Sequence, residues 1–243
     1  MLRIAGCLGW FALIAPIHLV TRLVLGRSGW PPRFLAGVAR ICGARVHVTG
    51  PSAEAGTLLI ANHTSWLDIL LLAGWARSAF VSKDDLGHGL IHWLADQNAT
   101  IYVKRSDRKG SLDQATTIAR ALGRDQPVTI FPEGTTGPGT ELLVFRSTLL
   151  EAARLGGPGS RVRPVAIDYG KARAEVGWSN GESGKANVMR ILRRPGRLRV
   201  TLHMLGPLDP QLGRKQLTED ARAAIALTLG FKSSAHSPIG ERE

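Results

Sequence analysis

The sequence predicts an α/β protein, in which a sheet has helices packed on its faces and an apolar helical membrane anchor precedes it. From residue 45 onward, short apolar runs of strand length alternate with longer runs of helical period, and this alternation is typical of such a fold. The 243 residues are 44% hydrophobic and 21% charged, which allows a sizeable core. We expect a membrane-associated helical segment over residues 1–44, one folded domain over 45–231 and a disordered tail over 232–243.

The N-terminal segment has the composition of a membrane element. Residues 4–20 are nearly all apolar, interrupted only by Pro16 and His18, and are slightly shorter than the roughly 20 residues of a spanning helix. We therefore favour a re-entrant or monotopic anchor over a clean span, with a buried core helix as the alternative. The charged residues that precede Glu54 are all arginines: Arg3, Arg22, Arg27, Arg33, Arg40 and Arg45.

The charge of the chain indicates an anionic partner. Lysine and arginine outnumber aspartate and glutamate by 31 to 19, a net charge of +12. An anionic membrane surface suits the arginines around the apolar segment, and if the segment spans, they place the remaining chain on the cytoplasmic side. In a bacterium this is the cytoplasmic face of the inner membrane. Nucleic acid would also suit the charge, but it leaves the apolar segment unused, so we expect no nucleic-acid partner.

The predicted strands are short and bounded by turn residues. Residues 45–49 alternate between apolar and polar side chains as in a half-buried strand, whereas 57–61 form a short apolar run as in a buried one. Seven strands are predicted, at residues 45–49, 57–61, 79–82, 100–103, 127–131, 162–168 and 197–205.

The predicted helices lie between these strands. Residues 111–122 are the clearest case, because their apolar side chains recur on one helical face. We expect the last helix to be capped by Thr218, and residues 177–187 to form a loop because they are rich in turn residues. The predicted helices lie at residues 66–75, 86–96, 111–122, 142–155 and 217–227.

A histidine and an aspartate follow the second strand in the run Asn62-His63-Thr64-Ser65-Trp66-Leu67-Asp68. On one continuous helix their side chains would point about 140° apart. Ser65 and Asp68 form a variant of the capping box, which indicates a helix start near Ser65 with His63 outside it. Asp68 could then orient the imidazole while its other nitrogen faces a substrate hydroxyl. In the alternative, Asp68 is only a cap and His63 only a polar loop residue.

A second motif, Phe131-Pro132-Glu133-Gly134-Thr135-Thr136, follows the predicted strand at 127–131. Its glycine lets backbone N–H groups approach an anion closely, and Thr135 adds a hydroxyl donor. A plain strand-ending turn is the alternative. His88 and His92 have a two-ligand spacing, but no third ligand is evident beside them, so we expect no metal site.

Four ordered blocks in this chain resemble the glycerolipid acyltransferase family, which includes bacterial 1-acyl-glycerol-3-phosphate acyltransferase. They are the motif at 62–68, the apolar run ending in Lys104 and Arg105, the motif beginning at Phe131, and the apolar run with a central Pro164. The similarity covers roughly residues 45–210. The resemblance implies a mixed, largely parallel sheet flanked by helices.

The resemblance also implies the roles of individual residues. His63 acts as general base, Asp68 orients it, and the acyl group passes directly to the acceptor without a covalent enzyme intermediate. The residues assigned to the acceptor's phosphate are Arg105, Glu133, Gly134 and Thr135, although Glu133 more plausibly holds Arg105 or a neighbouring loop. Supporting positions are Asn62, Ser65, Pro132, Arg146 and Pro164.

The expected reaction is transfer of a fatty acyl group from acyl-CoA or acyl carrier protein to the sn-2 hydroxyl of 1-acyl-glycerol-3-phosphate, giving phosphatidic acid. The partners are then a lyso-phospholipid acceptor, an acyl thioester donor and an anionic membrane surface, with no cofactor beyond the donor. One alternative is an acyltransferase acting on another lyso-lipid, such as a lyso-aminolipid. The other is a non-catalytic basic protein that binds membranes or lipids.

Overall fold

A twisted sheet forms the centre of the computed structural model, which describes residues 2–83, 89–103, 110–157, 159–178 and 181–231. The described residues contain seven strands in the spatial order β1-β7-β6-β2-β5-β3-β4, and each neighbouring pair is parallel except β6 with β7. The strands are β1 (Ala44–Thr49), β2 (Thr57–Ala61), β3 (Ala79–Lys83), β4 (Ile101–Val103), β5 (Val128–Ile130), β6 (Arg161–Asp168) and β7 (Leu198–Met204). The predicted mixed, largely parallel sheet is confirmed.

Helices cover both faces of this sheet. The described helices are α1 (Leu2–Leu25), α2 (Trp30–Ile41), α3 (Leu67–Leu71), α4 (Leu90–Gln97), α5 (Gly110–Leu122), α6 (Glu151–Leu155), α7 (Arg173–Val176), α8 (Gly184–Arg193) and α9 (Arg214–Leu229). One apolar layer joins the sheet to α5, α6 and α9, and the other joins it to α2, α3 and α8. Strand β2 lies between both layers and is buried throughout, which explains its uninterrupted apolar sequence.

The N-terminal segment folds as two helices, of which the sequence indicated only the first. Helix α1 is long and apolar enough to cross a membrane by length and composition, and little of it is buried. It packs against α2, where the Trp10 indole N–H donates to the Phe34 carbonyl at 3.0 Å. Helix α2 begins with Pro31 and Pro32 in its first turn, a position where proline loses no helical hydrogen bond.

Three of the helix starts predicted in the C-terminal half of the chain are wrong. The segment 142–155 is helical only from Thr148, because the Leu143 N–H is taken by a side chain and the Arg146 N–H by the Pro132 carbonyl. The predicted loop 177–187 contains the start of α8, whose cap is the Ser183 hydroxyl. Helix α9 begins at Arg214 with Gly213 as its cap, so Thr218 lies inside the helix.

Two other predictions differ in extent. The helix predicted at 66–75 becomes a π-helical turn at Leu72–Ala76 and ends at Arg77, which adopts a left-handed conformation with φ 53°. Of the helix predicted at 86–96, residues 90–96 lie in α4, and 84–88 lie outside the described residues. The predicted tail 232–243 also lies outside them.

The strand directions bring the ends of several strands to one edge of the sheet. Strands β2 to β6 run in the same direction, so their carboxyl ends meet at this edge, which we call the carboxyl edge. Because β7 is antiparallel to β6 and parallel to β1, the beginnings of β1 and β7 lie at the same edge. In open α/β sheets this edge is the usual place of a ligand site.

Candidate active site

His63 and Asp68 come together at the carboxyl end of β2. The imidazole Nδ1 lies 2.9 Å from the Asp68 Oδ2, and the carboxylate is fully buried. Helix α3 begins at Leu67, two residues later than the start indicated by Ser65, whose hydroxyl accepts the Leu67 N–H at 3.3 Å. His63 therefore lies outside the helix and Asp68 in its first turn, as the capping pattern predicted.

The Asp68 carboxylate accepts hydrogen bonds at both of its oxygens. Its Oδ2 accepts the backbone N–H groups of Thr64 at 2.6 Å and Ser65 at 2.8 Å, besides its contact with His63. Its Oδ1 accepts the Tyr169 hydroxyl at 2.5 Å. These donors compensate for burial of the charge and leave the carboxylate a single orientation toward the imidazole.

Tyr169 was missed in the sequence. It follows the last residue of β6, and no local pattern links it to a carboxylate 101 positions earlier in the chain. Burial raises the pKa of its phenol well above the ordinary value, and the neighbouring charge of Asp68 raises the pKa further. The phenol therefore stays protonated and serves as a donor to Asp68.

The His63 ring is held on its other side by an aromatic contact. It stacks on Phe131 with ring centroids 4.0 Å apart and an interplanar angle of 15°, and its side chain is 15% exposed. Among the described residues, none hydrogen-bonds to its Nε2. With Nδ1 donating to Asp68, Nε2 carries the free lone pair and is available to take a proton from a bound hydroxyl.

Glu133 positions the backbone of this site. Its Oε1 accepts the His63 N–H at 2.6 Å, and its Oε2 accepts the Leu143 N–H at 2.9 Å. The side chain is buried and links the His63 turn to the loop after β5, which is the second of the two roles expected for it. Burial raises the pKa of the Glu133 carboxyl, while the two backbone N–H groups act in the opposite direction.

The other residues of the second motif are arranged around an exposed turn. Gly134 adopts a left-handed conformation with φ 70°, and both it and Thr135 are exposed. The exposed Arg146 guanidinium lies beside this turn, since a Cβ added at Gly134 would stand 3.7 Å from its nearest nitrogen. Arg105 lies outside the described residues, so the expected phosphate contacts of that residue stay a prediction.

Three supporting positions have structural contacts. The buried Asn62 side chain joins β2 to β6, donating to the Ile167 carbonyl at 3.2 Å and accepting its N–H at 2.8 Å. Pro132 is buried and its carbonyl accepts the Arg146 N–H at 2.9 Å, while Pro164 lies in β6 opposite Ile60. These contacts fix the strand ends that carry His63.

We predict that replacing Glu133 with glutamine removes a pH-dependent part of the stability. Burial raises the pKa of the Glu133 carboxyl in the folded protein. Its contribution to the free energy of unfolding is therefore full below the ordinary glutamate pKa of 4.5 and is lost as the pH rises through the folded-state pKa. The free energy of unfolding of the wild type, measured in urea relative to Glu133→Gln, should decrease over that range. A stability difference between the wild type and Glu133→Gln that increased with pH would contradict a raised pKa of Glu133.

We predict that Tyr169→Phe destabilises the fold by about 1–3 kcal/mol, because it leaves the buried Asp68 Oδ1 without its donor. Tyr102→Phe is the matched control, since Tyr102 donates to the Asp96 carboxylate at 2.8 Å on the protein surface. Its loss should cost less than about 1 kcal/mol. Urea unfolding of both variants measures the difference, and equal losses would contradict a special role of the buried pair.

Comparisons with known proteins agree with this geometry. The family model described as Acyltransferase matches residues 45–168. The lyso-ornithine lipid O-acyltransferase of Rhodobacter capsulatus is 32% identical, over 89% of this chain and 85% of its own. The 1-acyl-sn-glycerol-3-phosphate acyltransferase of Neisseria gonorrhoeae is also 32% identical, but over 52% of this chain and 49% of its own.

The fold has a counterpart among solved structures. The 1-acyl-sn-glycerophosphate acyltransferase PlsC of Thermotoga maritima superposes with a TM-score of 0.55 at 22% sequence identity, covering 98% of this chain and all of that one. The likeness includes the helices before β1, which the family model does not cover. The family model and the relatives match the chain, and the His63–Asp68 pair and the ordered motifs agree with them. The chain therefore belongs to the acyltransferase family.

Proposed function

We propose that this protein transfers an acyl group from a thioester donor to the hydroxyl of a lyso-aminolipid, such as lyso-ornithine lipid, with His63 as general base. The observation that carries the chemistry is the His63–Asp68 pair, in which Nδ1 is engaged and Nε2 is open at the carboxyl edge. The buried carboxylate orients the ring and stabilises the imidazolium that forms during the reaction.

The proposed reaction is a direct transfer. His63 Nε2 takes the proton of the acceptor hydroxyl, while the oxygen of that hydroxyl attacks the thioester carbonyl carbon. A C–O bond forms, the C–S bond breaks, and the leaving thiolate takes the proton from the imidazolium. Ser65 is not proposed as a nucleophile, because it is fully buried and its hydroxyl oxygen accepts the Leu67 N–H.

The extent of the similarities supports a lyso-aminolipid as acceptor. The match to the relative named for lyso-ornithine lipid extends over most of both chains, whereas the match to the relative named for 1-acyl-glycerol-3-phosphate covers about half of each. This favours the alternative acceptor over the glycerol phosphate expected first, which remains the second candidate. The turn at Gly134 and Thr135, with Arg146 beside it, suits either a phosphate or the carboxylate of an amino-acid headgroup.

We further propose that the acceptor enters from a bilayer on which α1 rests. The outer face of α1 exposes large apolar side chains: Leu8, Leu13, Leu19, Val20, Leu23 and Val24. Arg22 lies in the last turn of α1, and Arg27 and Arg33 follow it in the chain; all three are exposed and suit anionic headgroups at a cytoplasmic leaflet. Such a position agrees better with a monotopic element than with a span, because one side of α1 packs along α2.

We predict that His63→Ala lowers turnover by about 10²–10⁴-fold, the usual contribution of a general base. His92→Ala is a matched control, because His92 also contacts an aspartate, Asp96, at 3.2 Å, but on the exposed side of α4. It should retain activity within about twofold. Initial rates of purified proteins with equal circular dichroism spectra measure the effect, and undiminished turnover in His63→Ala would exclude the mechanism.

We predict that lyso-ornithine lipid gives a kcat/KM about tenfold or more above that of 1-acyl-glycerol-3-phosphate, a difference of roughly 1.4 kcal/mol in transition-state binding. Both acceptors are presented in the same liposomes with the same donor, and His63→Ala supplies the blank. Flotation of the wild type with these liposomes tests its membrane placement. A preference for the glycerol phosphate would reverse the acceptor assignment while leaving the chemistry intact.

A further inference from the structure

Two arginines stand side by side at the start of the edge strand pair. Arg45 in β1 lies opposite Arg199 in β7 in the parallel register, and both side chains are exposed. Neighbouring strands are about 4.8 Å apart, so the two cations begin from adjacent backbone positions. Like charges directly opposite each other destabilise a sheet, which makes an unpaired cross-strand arginine pair a candidate for binding an anion.

Neither arginine of the pair forms an ion pair within the part of the chain that the structure describes. Arg45 donates to the Ala44 carbonyl at 3.1 Å, and the ion pairs of the described residues involve neither Arg45 nor Arg199. The next row on the same face runs from His47 through Thr201 to Asp168 of β6, whose carboxylate accepts the Gly170 N–H at 2.7 Å. Two adjacent guanidinium groups with free donors match the oxygens of a phosphate.

The arginine pair lies at the same edge of the sheet as His63. Both arginines are second residues of strands that begin beyond the carboxyl edge, because Thr201 pairs with Asp168 at the end of β6, whereas Ala61 at the end of β2 is level with Val165 and Met204. Strand β6 separates β7 from β2, so Arg199 is displaced sideways from the strand of His63 by two strand spacings, about 10 Å, and Arg45 by about 14 Å. Arg199 also lies five residues, about 17 Å along the strand direction, beyond the level of Ala61. An extended ligand bound at both places would therefore lie along this edge.

The pair also faces away from the membrane helix. Along β7, Leu198, Val200 and Leu202 point into the apolar layer that includes α2, against which α1 packs. Arg199 alternates with them and therefore points to the other face of the sheet. His203 lies on that same face, because its partner in β6, Ala166, belongs to the other apolar layer. Arg3 of α1 donates to the Gly196 carbonyl just before β7 at 2.7 Å, but the side chains of the pair point to the face opposite α1, from which a soluble anion can reach them.

We propose that Arg45 and Arg199 bind the phosphate groups of coenzyme A, so that an acyl-CoA donor reaches His63 from the sheet face opposite α1. This assignment rests on the proposed acyl transfer and names its donor. The acceptor then approaches from the membrane side and the donor from the aqueous side, and the two meet at the carboxyl edge. The thioester extends from the phosphates toward His63 across β6.

The test is calorimetric titration of coenzyme A into the purified full-length protein, which needs no acceptor. Arg45→Ser/Arg199→Ser should bind coenzyme A at least tenfold more weakly, and the dependence of binding on salt should decrease. The matched control is Arg124→Ser/Arg214→Ser, which removes the same charge from exposed positions before β5 and at the start of α9, away from the carboxyl edge. It should bind coenzyme A within twofold of the wild type.

Kinetics complete the test. With acyl-CoA and a fixed lyso-lipid, the KM for the donor should rise at least tenfold in Arg45→Ser/Arg199→Ser, while the KM for the acceptor changes less than twofold. Unchanged coenzyme A binding would overturn the proposal, as would a loss confined to turnover with acyl carrier protein or to liposome binding. Coenzyme A binding that depends on the arginine pair without turnover on any lyso-lipid would instead refute the acyl-transfer function and leave the binding site standing.

Discussion

The buried carboxylate of Asp68 is the constraint on which the arrangement of the site depends. Its two oxygens accept hydrogen bonds from the turn after β2, from the His63 imidazole and from the Tyr169 hydroxyl after β6. A charge removed from water is tolerated only when donors replace the solvent, so each of these chain segments must keep its position while Asp68 is ionised. The same requirement that stabilises the charge aligns the histidine.

A second buried carboxylate acts on the backbone of the same residue. Glu133 accepts the His63 N–H and the Leu143 N–H, and the Gly137 N–H donates to the His63 carbonyl at 2.8 Å. His63 is thus held through its ring by Asp68 and Phe131, and through its peptide groups by the loop that follows β5. Such support from surrounding residues limits the movement of a proton-transferring nitrogen.

The parts that could be predicted from the sequence are those specified by local patterns. The apolar run of β2 and the capping pattern at Ser65 were sufficient to place His63 outside a helix with Asp68 in its first turn. Tyr169 and the backbone contacts of Glu133 depend on pairings between strands distant in the chain, which no local pattern contains. The missed start of α8 and the shortened helix after Phe145 have a related cause, because side-chain hydrogen bonds decide where those helices begin.

The position of β1 at the end of the strand order has a consequence for how this chain can be shortened. Among the described strands β1 pairs only with β7, and the Leu198 N–H donates to the Gly43 carbonyl just before that pairing begins. A truncation that removed α1 and α2 but kept Gly43 would preserve this ladder. A cut a few residues later would leave the backbone groups of β7 as a bare edge, open to pairing with another chain. The ladder with β7 therefore tolerates a cut only up to Gly43, and even that cut would uncover the apolar layer that α2 helps to form.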